Sequence, residues 1–222
     1  MSPAEIATFY SRLHDRTPSP ETELEYVNNY TLLVAVVLSA QATDSGVNLA
    51  TRDLFARVTT PEAMVALGEE ELKRHIKTIG LFNTKAKNVI ALSQALIDKH
   101  GGEVPEDFEA LQALPGVGRK TANVVMNCAF GAETFAVDTH VFRVCNRTGL
   151  APGKDVLEVE RRLDSATPAP WRREAHHLLI LHGRYVCKAR KPECWRCTVA
   201  DICRYEAKTP PPGDEPPLRP YR

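Results

Sequence analysis

Four cysteines near the C-terminus, Cys187, Cys194, Cys197 and Cys203, stand in the spacing C-x6-C-x2-C-x5-C. Soft sulfur donors packed so closely read as a metal centre. A cubane iron–sulfur cluster of the 4Fe-4S type needs four thiolates around one core, and the first spacer is too long for an ordinary C-x2-C zinc pair. Zinc remains an alternative for the same ligands, and a disulfide is the third reading. The quartet flanks a basic loop, Lys188-Ala189-Arg190-Lys191-Pro192. Cys128 and Cys145 lie in apolar helical contexts, where a thiol behaves as a small buried hydrophobe, and they receive no role.

A second chemistry-bearing stretch is Leu114-Pro115-Gly116-Val117-Gly118-Arg119-Lys120-Thr121-Ala122. Two glycines around a small apolar residue let the main chain turn sharply and come close to another surface. A helix follows at once, so free amides point out of the turn toward a position suited to a phosphate oxygen. This is the helix-hairpin-helix way of holding a nucleic-acid backbone without reading bases; the same residues also suit a plain helix stop and turn. Lys120 falls in the first helical turn, where the positive end of the helix dipole and desolvation would both depress its pKa and favour an amine nucleophile. Eighteen residues on, Val137-Asp138-Thr139-His140-Val141 puts a carboxylate at a helix N-cap, where aspartate often serves only as a cap. A fainter echo of the hairpin, Ile79-Gly80-Leu81-Phe82-Asn83-Thr84-Lys85-Ala86-Lys87-Asn88-Val89, lies 35 residues upstream and aligns without gaps.

The charges are polarised rather than abundant. Lysine and arginine number 28 against 28 acidic residues. From Arg184 to Arg196, however, five basic residues stand against Glu193 alone. A second basic group, Lys73, Arg74, His75, Lys77, Lys85 and Lys87, brackets the turn at Ile79 to Asn83. Local excess of this kind attracts a phosphate backbone without a basic total. Either group alone would also suit a solvated helix face.

The elements that must position these residues read as helices throughout. With 222 residues, 43% of them apolar and 25% charged, the chain can build a substantial core in one domain or two. Helix starts are signalled at Thr60-Pro61, at Pro105-Glu106-Asp107 and at Asp155, and helix stops at Gly101, Gly131 and Gly149. The segments Ala4 to His14, Thr31 to Ala42, Lys85 to Lys99, Thr121 to Phe130 and Trp171 to Leu181 carry apolar residues at helical spacing. Thr31 to Leu38, apolar nearly all round, is expected to be a central buried helix. No secretion signal is legible, and the best apolar run, Leu32 to Ala40, is less than half a membrane span. A soluble intracellular protein is expected, cytoplasmic if bacterial, with thiols used for metal. The stretch from Thr209 to Arg222 holds six prolines and is expected to be disordered.

Taken together, these residues resemble the endonuclease III family of helix-hairpin-helix DNA glycosylases with a 4Fe-4S cluster. The match begins at Leu38-Ser39-Ala40-Gln41-Ala42-Thr43-Asp44 and passes through the Leu114 to Ala122 hairpin and Ala136-Val137-Asp138-Thr139-His140. It ends in Leu181-His182-Gly183-Arg184 and the cysteine quartet, covering residues 20 to 208. The resemblance implies an all-α fold of two lobes with a DNA-binding cleft between them. One lobe is a six-helix barrel over residues 22–132, containing the hairpin; the other is a cluster lobe from residues 1–21 plus 133–208.

The resemblance also implies roles. Lys120 is the expected nucleophile at the sugar C1′ of a damaged nucleotide, and Asp138 the carboxylate that assists departure of the base. Gln41 and Leu81 are expected to fill or wedge the duplex. Gly116, Gly118, His140, Arg190 and Lys191 are expected to meet DNA, and Cys187, Cys194, Cys197 and Cys203 to hold the cluster. The implied partner is double-stranded DNA bearing a damaged base or abasic site, met by a monomer. One departure is Gln112, where the family carries glutamate. The implied activity is bifunctional: removal of damaged bases, with oxidised pyrimidines the expected class, followed by strand cleavage. A monofunctional adenine or mismatch glycosylase is the nearest alternative, but it works through water and needs no Lys120. The chain also ends soon after the quartet, without the further domain expected of adenine-specific members. A non-catalytic iron–sulfur DNA-binding protein would leave Lys120 and Asp138 unexplained.

Overall fold

The computed structural model describes residues 1–212, so most of the proline-rich stretch, residues 213–222, lies outside the described residues. Its first residue is tied down: the Thr209 hydroxyl donates to the Pro192 carbonyl and accepts from the Cys194 amide. The described residues are all helix and loop. The α-helices are α1 (Pro3–Arg16), α2 (Asn29–Leu38), α3 (Asp44–Phe55), α4 (Pro61–Leu67), α5 (Glu69–Ile76), α6 (Phe82–His100), α7 (Phe108–Gln112), α8 (Arg119–Phe130), α9 (Thr139–Thr148), α10 (Val156–Ala166) and α11 (Arg172–Tyr185). Among them none is long and apolar enough to cross a membrane.

Short polar side chains start most of these helices. Ser2, Asn28, Thr43, Thr60, Asp107, Asp138 and Asp155 each accept amides in the first turn of the helix that follows. Each such cap stabilises its helix by about 1 kcal/mol. Gly101, Gly131 and Gly149 end α6, α8 and α9 in the left-handed conformation that glycine adopts without penalty. The apolar run that predicts a helix as far as Ala42 stops at Leu38 instead. The Ser39 hydroxyl donates to the Val36 carbonyl at 2.8 Å, and the Ala42 amide closes a turn onto Ser39 in which Gln41 takes φ 55°. A side-chain hydroxyl has displaced the helical pattern there.

The chain divides into two compact units, one formed by Thr22–Ala132 and the other by Met1–Glu21 with the chain from Glu133 onward. In the first, α2 is the centre. Every residue from Tyr30 to Leu38 is buried, with α3, α6 and α8 packed around it. Each fully buried leucine or valine there contributes about 1.5–3 kcal/mol relative to exposure. In the second unit Phe9, Tyr10 and Leu13 of α1 enter a core with Val141, Val144, Leu178 and Leu179. The Tyr10 hydroxyl pairs with that of Thr167 at 3.0 Å, the chain's terminal amine donates to the Gly149 carbonyl at 3.1 Å, and Glu5 meets Arg204 at 2.6 Å. The N-terminal helix therefore completes a core whose other elements come more than a hundred residues later.

Candidate functional site

The four cysteines of the quartet line a single small cavity, together with His182, Val186, Ala200 and Tyr205. Among the described residues no three His, Cys, Asp or Glu side chains converge closely enough to hold one metal ion. Four sulfurs on the wall of one cavity are the donor set that a 4Fe-4S cluster takes. Burial, with the charges of Cys203, Cys187 and Cys194 adding to it, pushes the Cys197 thiol up to about 11. Four thiolates here repel one another, and a cationic iron core is the compensation this donor set calls for. Donors are also present: Arg147 Nη1 lies 3.8 Å from Cys187 Sγ, and the Tyr205 amide 3.4 Å from Cys203 Sγ. Hydrogen bonds of this kind orient and tune metal-bound sulfur.

The purified protein is therefore expected to be yellow-brown with about four irons per chain. Elemental analysis checks this; colourless, fully active protein with stoichiometric zinc would reject it. Cys194→Ser is expected to lose iron, lower the melting temperature and weaken nucleic-acid binding.

The loop above the cavity is fastened from below by α9. Arg147 donates to the Lys188 carbonyl at 2.7 Å and the Ala189 carbonyl at 3.0 Å, and its guanidinium lies 4.7 Å from the Tyr205 ring centre. One turn earlier, Arg143 donates to the Cys187 carbonyl at 2.9 Å and the Gly183 carbonyl at 2.8 Å. Within the loop, Glu193 pairs with both Lys188 and Arg196. Arg190 and Lys191 are left exposed, with no ion pair among the described residues and with Lys191 at φ 51°. Sequence reasoning missed Arg143 and Arg147. Their spacing of four residues on the helix after Asp138 was the only available signal.

Asp138 begins that same helix. Its Oδ1 accepts from the His140 and Val141 amides, both at 2.8 Å, so the capping role is present, and both bonds fall on one oxygen. Arg143 Nη2 lies 3.1 Å from His140 Nδ1. Arginine only donates, so Nδ1 is the acceptor in this contact. Gly183 explains the Leu181-His182-Gly183-Arg184 motif physically. A Cβ there would meet His140 Cβ at 2.9 Å, so α11 can lie against the first turn of α9 only with glycine at that point.

In the hairpin, Leu114 and Val117 are buried and anchor the turn. The two glycines have different reasons. Gly116 needs φ 77°, and a Cβ on it would come within 2.9 Å of Asn88 of α6. Gly118 has an ordinary φ of −90°, and an added Cβ would meet nothing within 4 Å. The space in front of Gly118 is open to an external surface. No side chain caps α8, and the Lys120 and Thr121 amides find no acceptor among the described residues. Arg119 lies 5.2 Å from the Phe108 ring centre, which ties this turn to α7. Lys120 is exposed, so the expected desolvation of its amine by burial is corrected. The bare helix N-terminus is the field it meets.

Gln41 and Leu81 both adopt left-handed backbone, at φ 55° and 60°, a conformation that costs non-glycine residues. A Cβ on Gly80 would lie 4.0 Å from the Gln41 carbonyl, so their turns adjoin. Leu81 is 61% exposed, a large apolar side chain at the tip of a turn. The second basic group is corrected: Lys73 pairs with Glu69 and Glu70, and Arg74 with Glu71, along α5. Those two members of the group belong to a self-neutralised helix face. The structure thus gathers the cysteines around one cavity and the Gln41 and Leu81 turns side by side. His140, Arg190 and Lys191 belong to elements joined through Arg143 and Arg147. Lys120 belongs to one compact unit and Asp138 to the other.

Residues 34–169 match the model for HhH-GPD superfamily base excision DNA repair proteins, and residues 187–203 match the iron–sulfur binding domain of endonuclease III. The chain is 58% identical to endonuclease III of Haemophilus influenzae over 89% of its own length and 94% of that protein. It is 55% identical to endonuclease III of Escherichia coli strain K12 over 94% of its length and 99% of that protein. A solved structure of a trapped endonuclease III–DNA covalent intermediate superposes with a TM-score of 0.86 at 45% identity, covering 92% of this chain and 96% of that one. Matches of this extent over both the hairpin region and the cysteine quartet place the chain in the endonuclease III family, within the HhH-GPD superfamily of base excision DNA repair proteins.

Proposed function

We propose that this chain is a bifunctional DNA glycosylase and abasic-site lyase of base excision repair, with Lys120 as its nucleophile and oxidised pyrimidines as its main lesions. The observation that carries the reading is the position of Lys120: an exposed amine one residue inside an uncapped helix, directly after a hairpin whose Gly118 face is open. An amine and a phosphate-binding turn in one short segment bring a sugar carbon and a nucleophile together.

A damaged base is unreachable inside a duplex, and extruding its nucleotide costs about a few kcal/mol, less where damage has already weakened pairing. Gln41 and Leu81 offset that cost by occupying the space vacated. The Lys120 amine attacks C1′ and the base leaves; Asp138 stabilises the positive charge developing on the sugar and assists proton movement. The product is an iminium at C1′, which acidifies the C2′ proton. Loss of that proton expels the 3′ phosphate by β-elimination, and hydrolysis of the iminium frees the lysine. Cys187, Cys194, Cys197 and Cys203 hold the 4Fe-4S cluster, which when bound fixes the loop bearing Arg190 and Lys191. The partner is damaged double-stranded DNA, met by a monomer in the cytoplasm.

Duplexes each bearing one defined lesion, scored separately for base release and strand cleavage, test this reading. Both products are expected from oxidised pyrimidines; base release without any cleavage would reject it. Lys191→Ala is expected to flatten the dependence of log affinity on log salt by about one unit, equally for damaged and intact duplex. Altered lesion preference at unchanged slope would remove Lys191 from the backbone contacts.

A further inference from the structure

His182 lines the cysteine cavity without being one of its four sulfur donors. It lies in the last turn of α11, is 2% exposed, and holds its Nε2 3.7 Å from Cys197 Sγ. Its Nδ1 is buried with no hydrogen-bond partner among the described residues. The Phe9 ring of α1 packs edge-on against the imidazole, with ring centres 6.4 Å apart. The main chain of the same residue is also committed, because the His182 carbonyl accepts the Val186 amide at 3.0 Å and the Cys187 amide at 2.8 Å. One residue thus meets Cys187, which precedes the basic loop, through its backbone, and Cys197, which follows it, through its ring.

The hydrogen-bonding inventory of imidazole sets the direction of the ring contact. With a proton on Nδ1 alone, a buried N–H would lack an acceptor while the Nε2 lone pair faced the lone pairs of sulfur. No hydrogen bond would form at either nitrogen. With the proton on Nε2, an N–H···S bond forms and only the Nδ1 lone pair is left over, which is the better outcome in a buried site. A ring protonated at both nitrogens also donates from Nε2, so the direction does not depend on the charge of the ring. A thiolate is a stronger acceptor than a thiol, and the contact gains strength when Cys197 ligates.

We propose that His182 is a positioning residue of the iron–sulfur site, whose Nε2–H donates to Cys197 Sγ, orients that ligand and draws negative charge from it. This rests on the cluster reading of the cavity. Hydrogen bonds to ligand sulfur favour the more negative, reduced state of the bound group, so the bond raises its reduction potential and strengthens its retention.

Nitrogen-15 NMR of the iron-loaded full chain, labelled at histidine, reads the tautomer directly; His182→Gln identifies the resonance by its loss. A proton on Nε2 is expected, and a ring protonated at Nδ1 alone overturns the proposal. Two variants test the consequence by voltammetry and by challenge with an iron chelator. His182→Phe keeps a planar ring of similar shape but has no N–H, and is expected to lower the reduction potential and to weaken iron retention about 10- to 100-fold. His182→Gln, whose amide N–H reaches the place of Nε2, is expected to restore both toward the parent. A residue that only fills space would give the reverse order, with phenylalanine at the parent potential and glutamine displaced from it, and that order overturns the proposal. If His182→Phe fails to load iron, the tautomer in the parent decides. Parent protein that binds no iron removes the cluster reading itself, whereas an iron-loaded parent with its His182 proton on Nδ1 alone rejects only the role given to His182.

Discussion

Lys120→Gln is expected to bind duplex as the parent does and to lose strand cleavage and base release by three or more orders of magnitude, on the order of what removal of a covalent nucleophile costs elsewhere. The structure makes this substitution clean. Lys120 is exposed and makes no ion pair among the described residues, so glutamine, close in length and polarity, disturbs neither packing nor a charge partner. Surface changes of that kind shift stability by about 0.5 kcal/mol at most. Melting temperature and affinity for intact duplex should therefore be unchanged while single-turnover cleavage falls to background. Cleavage at a tenth of the parent rate would mean that another group does the chemistry.

The second large effect is at Asp138. Its Oδ1 caps α9 through two amides, and asparagine offers the same oxygen to the same amides, so Asp138→Asn keeps the helix start while removing the charge. Base release is expected to slow about 10²- to 10³-fold, the range seen when one electrostatic stabiliser is lost. Cleavage of a pre-formed abasic site should suffer much less, because base departure is already complete. Equal losses on both substrates, measured under single-turnover conditions, would assign Asp138 to the elimination step or to structure alone. Asp138→Ala, which loses the cap as well, should also lower stability by about 1 kcal/mol.

Helix boundaries were legible where one residue determines them. Thr60, Asp107 and Asp155 start helices through their own side chains, and Gly101 and Gly149 end them through their own backbone freedom. The early end of α2 was not legible, because an apolar run through Ala42 carries no mark of the Ser39 hydroxyl turning back onto Val36. The basic residues of α5 looked like a phosphate-attracting group, but pairing with Glu69, Glu70 and Glu71 three and four residues away cancels them. Cysteine spacing pointed to a cluster, yet one cavity lined by all four required the fold. Beyond their four-residue spacing, Arg143 and Arg147 carried no mark of their role, since the carbonyls they hold in the cysteine loop lie some forty residues distant and any sequence would supply them. Lys85 was mistaken for a surface charge for a related reason: only packing reveals that its amine is buried and unanswered.

The central claim is a covalent bond between the Lys120 amine and the sugar C1′. Borohydride added during turnover on a single-lesion duplex should reduce the iminium and leave protein and DNA joined. Peptide mass spectrometry of the digested adduct should then place the sugar remnant on Lys120. An adduct mapped to Lys85 or any other amine, or full strand cleavage with no adduct trapped, would contradict the account.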